Sequence, residues 1–143
     1  MNIASFGKLL ASDIEEFEKH IGFSLPTDYK EFILDNNGGS ISNCKFFVPG
    51  LSETINLHVL FGITLEKNNN LYTWYNEYAS DMFERSVIIG SDCGSGLIVL
   101  CNNEDSPGIY YWDHSYNFEQ SDDENNVYKI SNDFITFVNA LQE

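Results

Sequence analysis

Positive charge is scarce in this chain. Seven Lys and Arg stand against 22 Asp and Glu in 143 residues, giving a formal net charge of -15 and a pI of about 4.2. Phosphate backbones and anionic lipid surfaces repel such a body, so neither nucleic acid nor membrane is expected as a partner. Cysteine is sparse too. Cys44, Cys93 and Cys101 are odd in number and lack metal-ligand spacing, which predicts reduced thiols in a cytosolic protein. No N-x-S/T acceptor occurs, and Met1 to Lys8 lacks the basic and apolar pattern of a leader. No apolar run approaches the roughly 18 residues of a membrane span. Together these absences lead us to expect a soluble, cytoplasmic, single-domain protein covering residues 1–143. Its 43% hydrophobic residues suffice for one core.

The acids that remain are unevenly placed. No Lys or Arg occurs between Arg85 and Lys129, whereas Asp92, Glu104, Asp105, Asp113, Glu119, Asp122, Asp123 and Glu124 all fall there. In the first third, Lys8, Lys19, Lys30 and Lys45 are interspersed among the acids. Electrostatic asymmetry is therefore expected in the C-terminal half, although acidic runs also serve simple solvation.

Periodicity marks out the elements. Ser12-Asp13-Ile14-Glu15 has the form of a capping box. Ile14, Phe17 and Ile21 follow at helical spacing, and Gly22 is a natural stop. A second helix is expected after Pro26, starting at Thr27 and Asp28, with Tyr29, Phe32 and Ile33 on one face and Asn36-Asn37-Gly38-Gly39 as its end. Phe46–Val48 and Leu57–Phe61 read as strands. Leu71, Trp74, Tyr75 and Tyr78 predict a helix within Asn68–Ala79. Val87–Ile89, the continuous apolar run Leu97–Cys101 and the aromatic Ile109–Trp112 read as strands of a meander, the middle one covered on both faces. Val127–Ile130 suits an edge strand. Phe134, Phe137, Val138 and Leu141 predict a last helix. The expected class is α+β: one central, mostly antiparallel sheet flanked by an N-terminal helix pair and a C-terminal helix.

Motifs with catalytic overtones fail on spacing. Gly90-Ser91-Asp92-Cys93-Gly94-Ser95-Gly96 is neither a nucleophile elbow nor a P-loop, and it has one carboxylate where a calcium loop needs several. A glycine-rich turn in which Asp92 accepts backbone amides is the simpler reading. Trp112-Asp113-His114 alternates faces in a strand, so Asp113 and His114 cannot act as a local pair. His20, His58 and His114 are isolated from one another. No catalytic residue, metal or cofactor is expected.

Several stretches resemble the SUKH superfamily, which includes fungal cell-wall-assembly regulators and bacterial immunity proteins. They are Ile14-Glu15-x-Phe17-Glu18-x-x-Ile21-Gly22-Phe23-x-Leu25-Pro26-x-Asp28-Tyr29-x-x-Phe32-Ile33 with Asn37-Gly38-Gly39, then Ile89-Gly90-Ser91-Asp92-x-Gly94 with Tyr111-Trp112-Asp113-His114, then the closing Ile130–Leu141 pattern. The match is strongest over residues 13–61 and 87–143. One departure is Ser95-Gly96, where the family often has a second Gly and then Asn or Asp. The resemblance implies an α+β fold and a binding role without catalysis: neutralisation of a cognate toxin, often a nuclease, or a regulatory scaffold role.

A basic toxin would be drawn to acidic loops flanked by aromatic anchors. On that ground Glu104, Asp105, Tyr110, Asp113, Tyr116, Asp122, Asp123 and Glu124 are the expected partner-binding residues.

Overall fold

The computed structural model describes residues 3–143; Met1 and Asn2, the start of the stretch read above for a leader, lie outside the described residues. Seven strands form one sheet in sequence order, β1 (Ile3–Ser5), β2 (Gly39–Val48), β3 (Glu53–Leu60), β4 (Ser86–Asp92), β5 (Leu97–Cys101), β6 (Gly108–Trp112) and β7 (Val127–Ser131). Every neighbouring pair is antiparallel. Helices α1 (Ala11–Ile21) and α2 (Thr27–Asp35) lie between β1 and β2, α3 (Leu71–Tyr78) lies between β3 and β4, and α4 (Phe134–Asn139) follows β7. The α+β class and the flanking helices are as the sequence predicts.

The local chemistry explains the bounds. Helix α1 starts one residue before Ser12, so the expected Ser12–Glu15 box does not form. Asp13 instead accepts the Leu10 amide at 2.9 Å, and Gly22 ends the helix in the left-handed conformation at φ 84°. In α2, Asp28 accepts the Tyr29 amide at 2.8 Å through one carboxylate oxygen and the Ile135 amide of α4 at 3.0 Å through the other. One side chain therefore ties the starts of two helices together. Helix α3 is shorter than the expected Asn68–Ala79 because Asn70 caps it, accepting the Tyr72 amide at 2.9 Å.

Strand β2 is far longer than Phe46–Val48. Its polar first half pairs with β1 on one edge and β3 on the other, with a bulge between Ser40 and Cys44 where Asn43 takes φ 57°. Such a segment carries no apolar alternation to announce it. Ile41, Cys44, Phe46 and Val48 point inward, while Lys45 and Phe47 face solvent.

All five residues of β5 are buried, as the apolar run requires of a strand covered on both faces. Along β6 the two coverings alternate. Tyr110 meets Phe83 and Trp112 meets Tyr78 of α3, whereas Tyr111 meets Phe46 and Phe118. On that second face Phe137 of α4 packs on Phe46. The sheet curls until Gly50, just past β2, lies against Tyr128 of β7. No helix among the described residues is long and apolar enough to cross a membrane.

Candidate partner-binding face

The turn between β4 and β5 is organised by one carboxylate. Asp92 is 7% exposed; one of its oxygens accepts the amides of Gly94 (2.7 Å) and Gly96 (3.0 Å). Its other oxygen accepts the Tyr111 hydroxyl at 2.6 Å. A Cβ on residue 96 would collide with that hydroxyl, so Gly96 is required for the Tyr111–Asp92 pair. Where the SUKH pattern departs at Ser95-Gly96, this chain fits its turn to a buried tyrosine. Burial, the hydrogen bond to Asp92 and the Asp92 and Asp113 charges together push the Tyr111 phenol well above its ordinary value.

A second buried carboxylate stands at the end of β6. Asp113 has no accessible surface, and it accepts the amides of Asn117 (2.9 Å) and Phe118 (3.0 Å). Its own amide donates to Asn126 O at 2.8 Å, and its carbonyl accepts the Tyr116 amide at 3.1 Å. The loop between β6 and β7 is thereby folded over Asp113 at both ends. Asn117 joins the two turns, donating to Ser95 Oγ at 2.6 Å.

These anchors present an ordered acidic surface. Tyr116, in the left-handed region at φ 53° and 46% exposed, donates its hydroxyl to Asp123 at 2.8 Å. That bond raises the Tyr116 pKa. Asp122 accepts the amides of Glu124 (2.9 Å) and Asn125 (2.8 Å), and the Ser121 and Tyr128 hydroxyls lie 2.8 Å apart. Asp122, Asp123 and Glu124 are exposed.

The eight expected contact residues do not form one patch. Glu104 and Asp105 are exposed, but they sit in the β5–β6 loop. That loop and the loop carrying Tyr116–Glu124 leave opposite ends of β6, about 14 Å apart along the strand. Two of the eight must be corrected. Asp113 is fully buried and committed to loop amides. Tyr110 is 8% exposed, packs on Phe83 and donates its hydroxyl to Ser106 O at 2.9 Å. Both shape the loops from beneath. For Asp113 sequence position conceals this, because a residue just past a strand end has no alternation to say which way it points; Tyr110 lies within β6, both faces of which are covered. The Asn117–Ser95 link is also missed, being a contact across 22 residues with no local signal.

His114 packs against Trp112 (5.3 Å) and Tyr78 (5.9 Å), and Asp113 offers it no carboxylate. Among the described residues no group of three or more His, Cys, Asp or Glu is placed to hold a metal ion.

The chain is similar in sequence to known proteins. The SPbeta prophage-derived uncharacterized protein YokK of Bacillus subtilis (strain 168) is 28% identical over 146 residues, spanning 90% of this chain and 72% of that protein. A sequence model described as the SMI1 / KNR4 family (SUKH-1) matches residues 8–140, from ahead of α1 to beyond α4. The chain therefore belongs to the SMI1 / KNR4 (SUKH-1) family.

Proposed function

We propose that this chain is a bacterial immunity protein that binds a basic toxin protein and blocks it, acting in the cytoplasm and without turnover. The observation that carries this reading is the preformed acidic loop. Tyr116, Asp122, Asp123 and Glu124 are solvent-facing, held by bonds within their own loop, and flanked by a chain interval free of Lys and Arg. An ordered patch loses less freedom on binding than a mobile acidic tail does. A nuclease toxin needs a cationic surface to hold phosphate, and an anionic body is steered onto such a surface by long-range attraction. The contact set is thus Tyr116 as anchor with Asp122, Asp123 and Glu124 as charge partners. Glu104 and Asp105 contribute to the field from a separate site, and Asp92 and Asp113 hold the scaffold. A similar chain carried by a prophage supports a bacterial setting.

The test is protection. The reading expects a toxin domain to be encoded beside this chain, and cells expressing that domain should survive when this protein is co-expressed. The D122K/D123K/E124K variant, which also removes the Asp122 and Asp123 bonds within the loop, should fail to protect while keeping its overall fold by circular dichroism. Death despite the wild-type protein contradicts the immunity reading, and full protection by the variant contradicts the assigned face.

A further inference from the structure

Arg85 is the sole arginine in a chain with 22 carboxylates, yet among the described residues it forms no ion pair. Its backbone is in the left-handed region at φ 56°, which side-chain-bearing residues rarely adopt. Two asparagines fix that conformation. The Asn102 amide donates to Arg85 O at 2.8 Å, Arg85 Nε donates back to Asn102 O at 2.8 Å, and Asn103 Nδ2 donates to Glu84 O at 3.2 Å. Asn102 is in turn tied to Ser24 O at 2.7 Å. The guanidinium lies over the Phe23 ring, 5.1 Å from its centre. This clamp uses Nε and, among the described residues, leaves without a protein acceptor both Nη groups, the pair of donors that meets a carboxylate.

Beside it lies a concavity of about 350 Å³ lined by Phe23, Tyr75, Met82, Phe83, Arg85 and Ser86 among others. Ser86 is 3% exposed, and its buried hydroxyl has no hydrogen-bond partner. A buried hydroxyl left unpaired is costly, and such orphans call for an explanation. The Tyr75 hydroxyl in the same lining donates to Ile21 O at 3.2 Å and forms no bond with Ser86.

We infer that this concavity between the ends of α1 and α3 and the start of β4 binds a carboxylate carried on an apolar body, with Arg85 as its charge partner and Ser86 as a hydrogen-bond donor. Phe23, Met82 and Phe83 in the lining give the body of the ligand apolar contacts. The molecule's strongly negative field and Glu84, which shares the lining, favour a monoanion over a phosphate dianion. The carboxylate has two sources, a free small acid or the acidic side chain of a bound protein.

The site is tested by following the backbone amides and the Arg85 Nε–H by NMR, at constant ionic strength, during titration with benzoate and with N-acetylglutamate amide. At least one should shift Arg85 Nε–H and the Ser86 amide saturably. Arg85→Gln should weaken that binding at least tenfold, and Ser86→Ala several-fold. Arg85→Lys, expected to weaken it less than Arg85→Gln, serves in its place should the glutamine variant lose its fold by circular dichroism. Tighter benzoate binding points to a free acid, and tighter binding of the glutamate derivative to a partner's side chain; both uphold the site. Absence of saturation with both probes, equal shifts with neutral benzyl alcohol, or unchanged binding after loss of the arginine charge would overturn it. The readout needs no toxin, so it stands or falls apart from the immunity reading.

Discussion

Asp92 and Asp113 illustrate how acidic residues of one sequence divide between scaffold and surface. Each accepts backbone amides from a loop that begins at a strand end, and each is buried. Hydrogen bonds to a charged acceptor contribute more than neutral ones, and removing the acceptor leaves two backbone amides unpaired and a buried site vacated. Asp113→Ala should therefore lower stability by about 3 kcal/mol in urea unfolding. It should also speed amide exchange over residues 114–126. Unchanged exchange there would refute the anchoring role. Tyr111 predicts a pH effect. Its folded pKa is raised, mainly by burial and then by the Asp92 bond, so above pH ~10 the unfolded chain loses its phenolic proton first. This contribution is complete below that pH and declines as pH rises through the alkaline range. Tyr111→Phe should flatten the alkaline fall in melting temperature, and an unaltered slope would contradict the assignment. The Asp92 turn was legible in the sequence from its glycines. The inward direction of Asp113 was not, because it depends on donors from a loop without periodicity.

At the scale of elements, Asp28 makes α2 and α4 one unit. Helix α4 has six residues, too few to persist alone. It is held by its Asp133 cap on the Thr136 amide (2.8 Å), by Asp28, and by Phe134 packed against Tyr29 (4.9 Å) and Phe32 (5.1 Å). Asp28→Ala should lower stability by about 1–2 kcal/mol, the usual effect of losing a cap. It should also release the Ile135 amide to exchange earlier than that of Phe137. Equal exchange of the two would show that packing alone holds α4. Helical periodicity made α1 and α2 legible, and an unbroken apolar run did so for β5. It failed at β1 and the first half of β2, where three residues and a bulged polar run pair across more than 30 positions. Helix α3 was legible by its aromatic face, but its start was not, since Asn70 caps it inside the expected span.

Over the whole molecule, charge and topology combine. A seven-strand meander with sequential neighbours places both β4–β5 and β6–β7 connections at one end of the sheet, and the β5–β6 loop at the other. The interval free of Lys and Arg is thereby split into two acidic ends, one of them ordered around Tyr116. The asymmetry itself could be read from the residue order; its division required the register of β6. On the proposed function, the ordered end meets a cationic protein. The most direct measurement is the affinity of the purified chain for the toxin domain expected to be encoded beside it, determined from about 0.05 to 0.5 M salt, a range over which surface charges become largely screened. A stoichiometric complex that weakens steeply with salt is expected, as is a D122K/D123K/E124K variant that binds far less tightly with a flattened salt slope. A complex indifferent to both salt and the three reversals, or no complex at all, would contradict the proposed function.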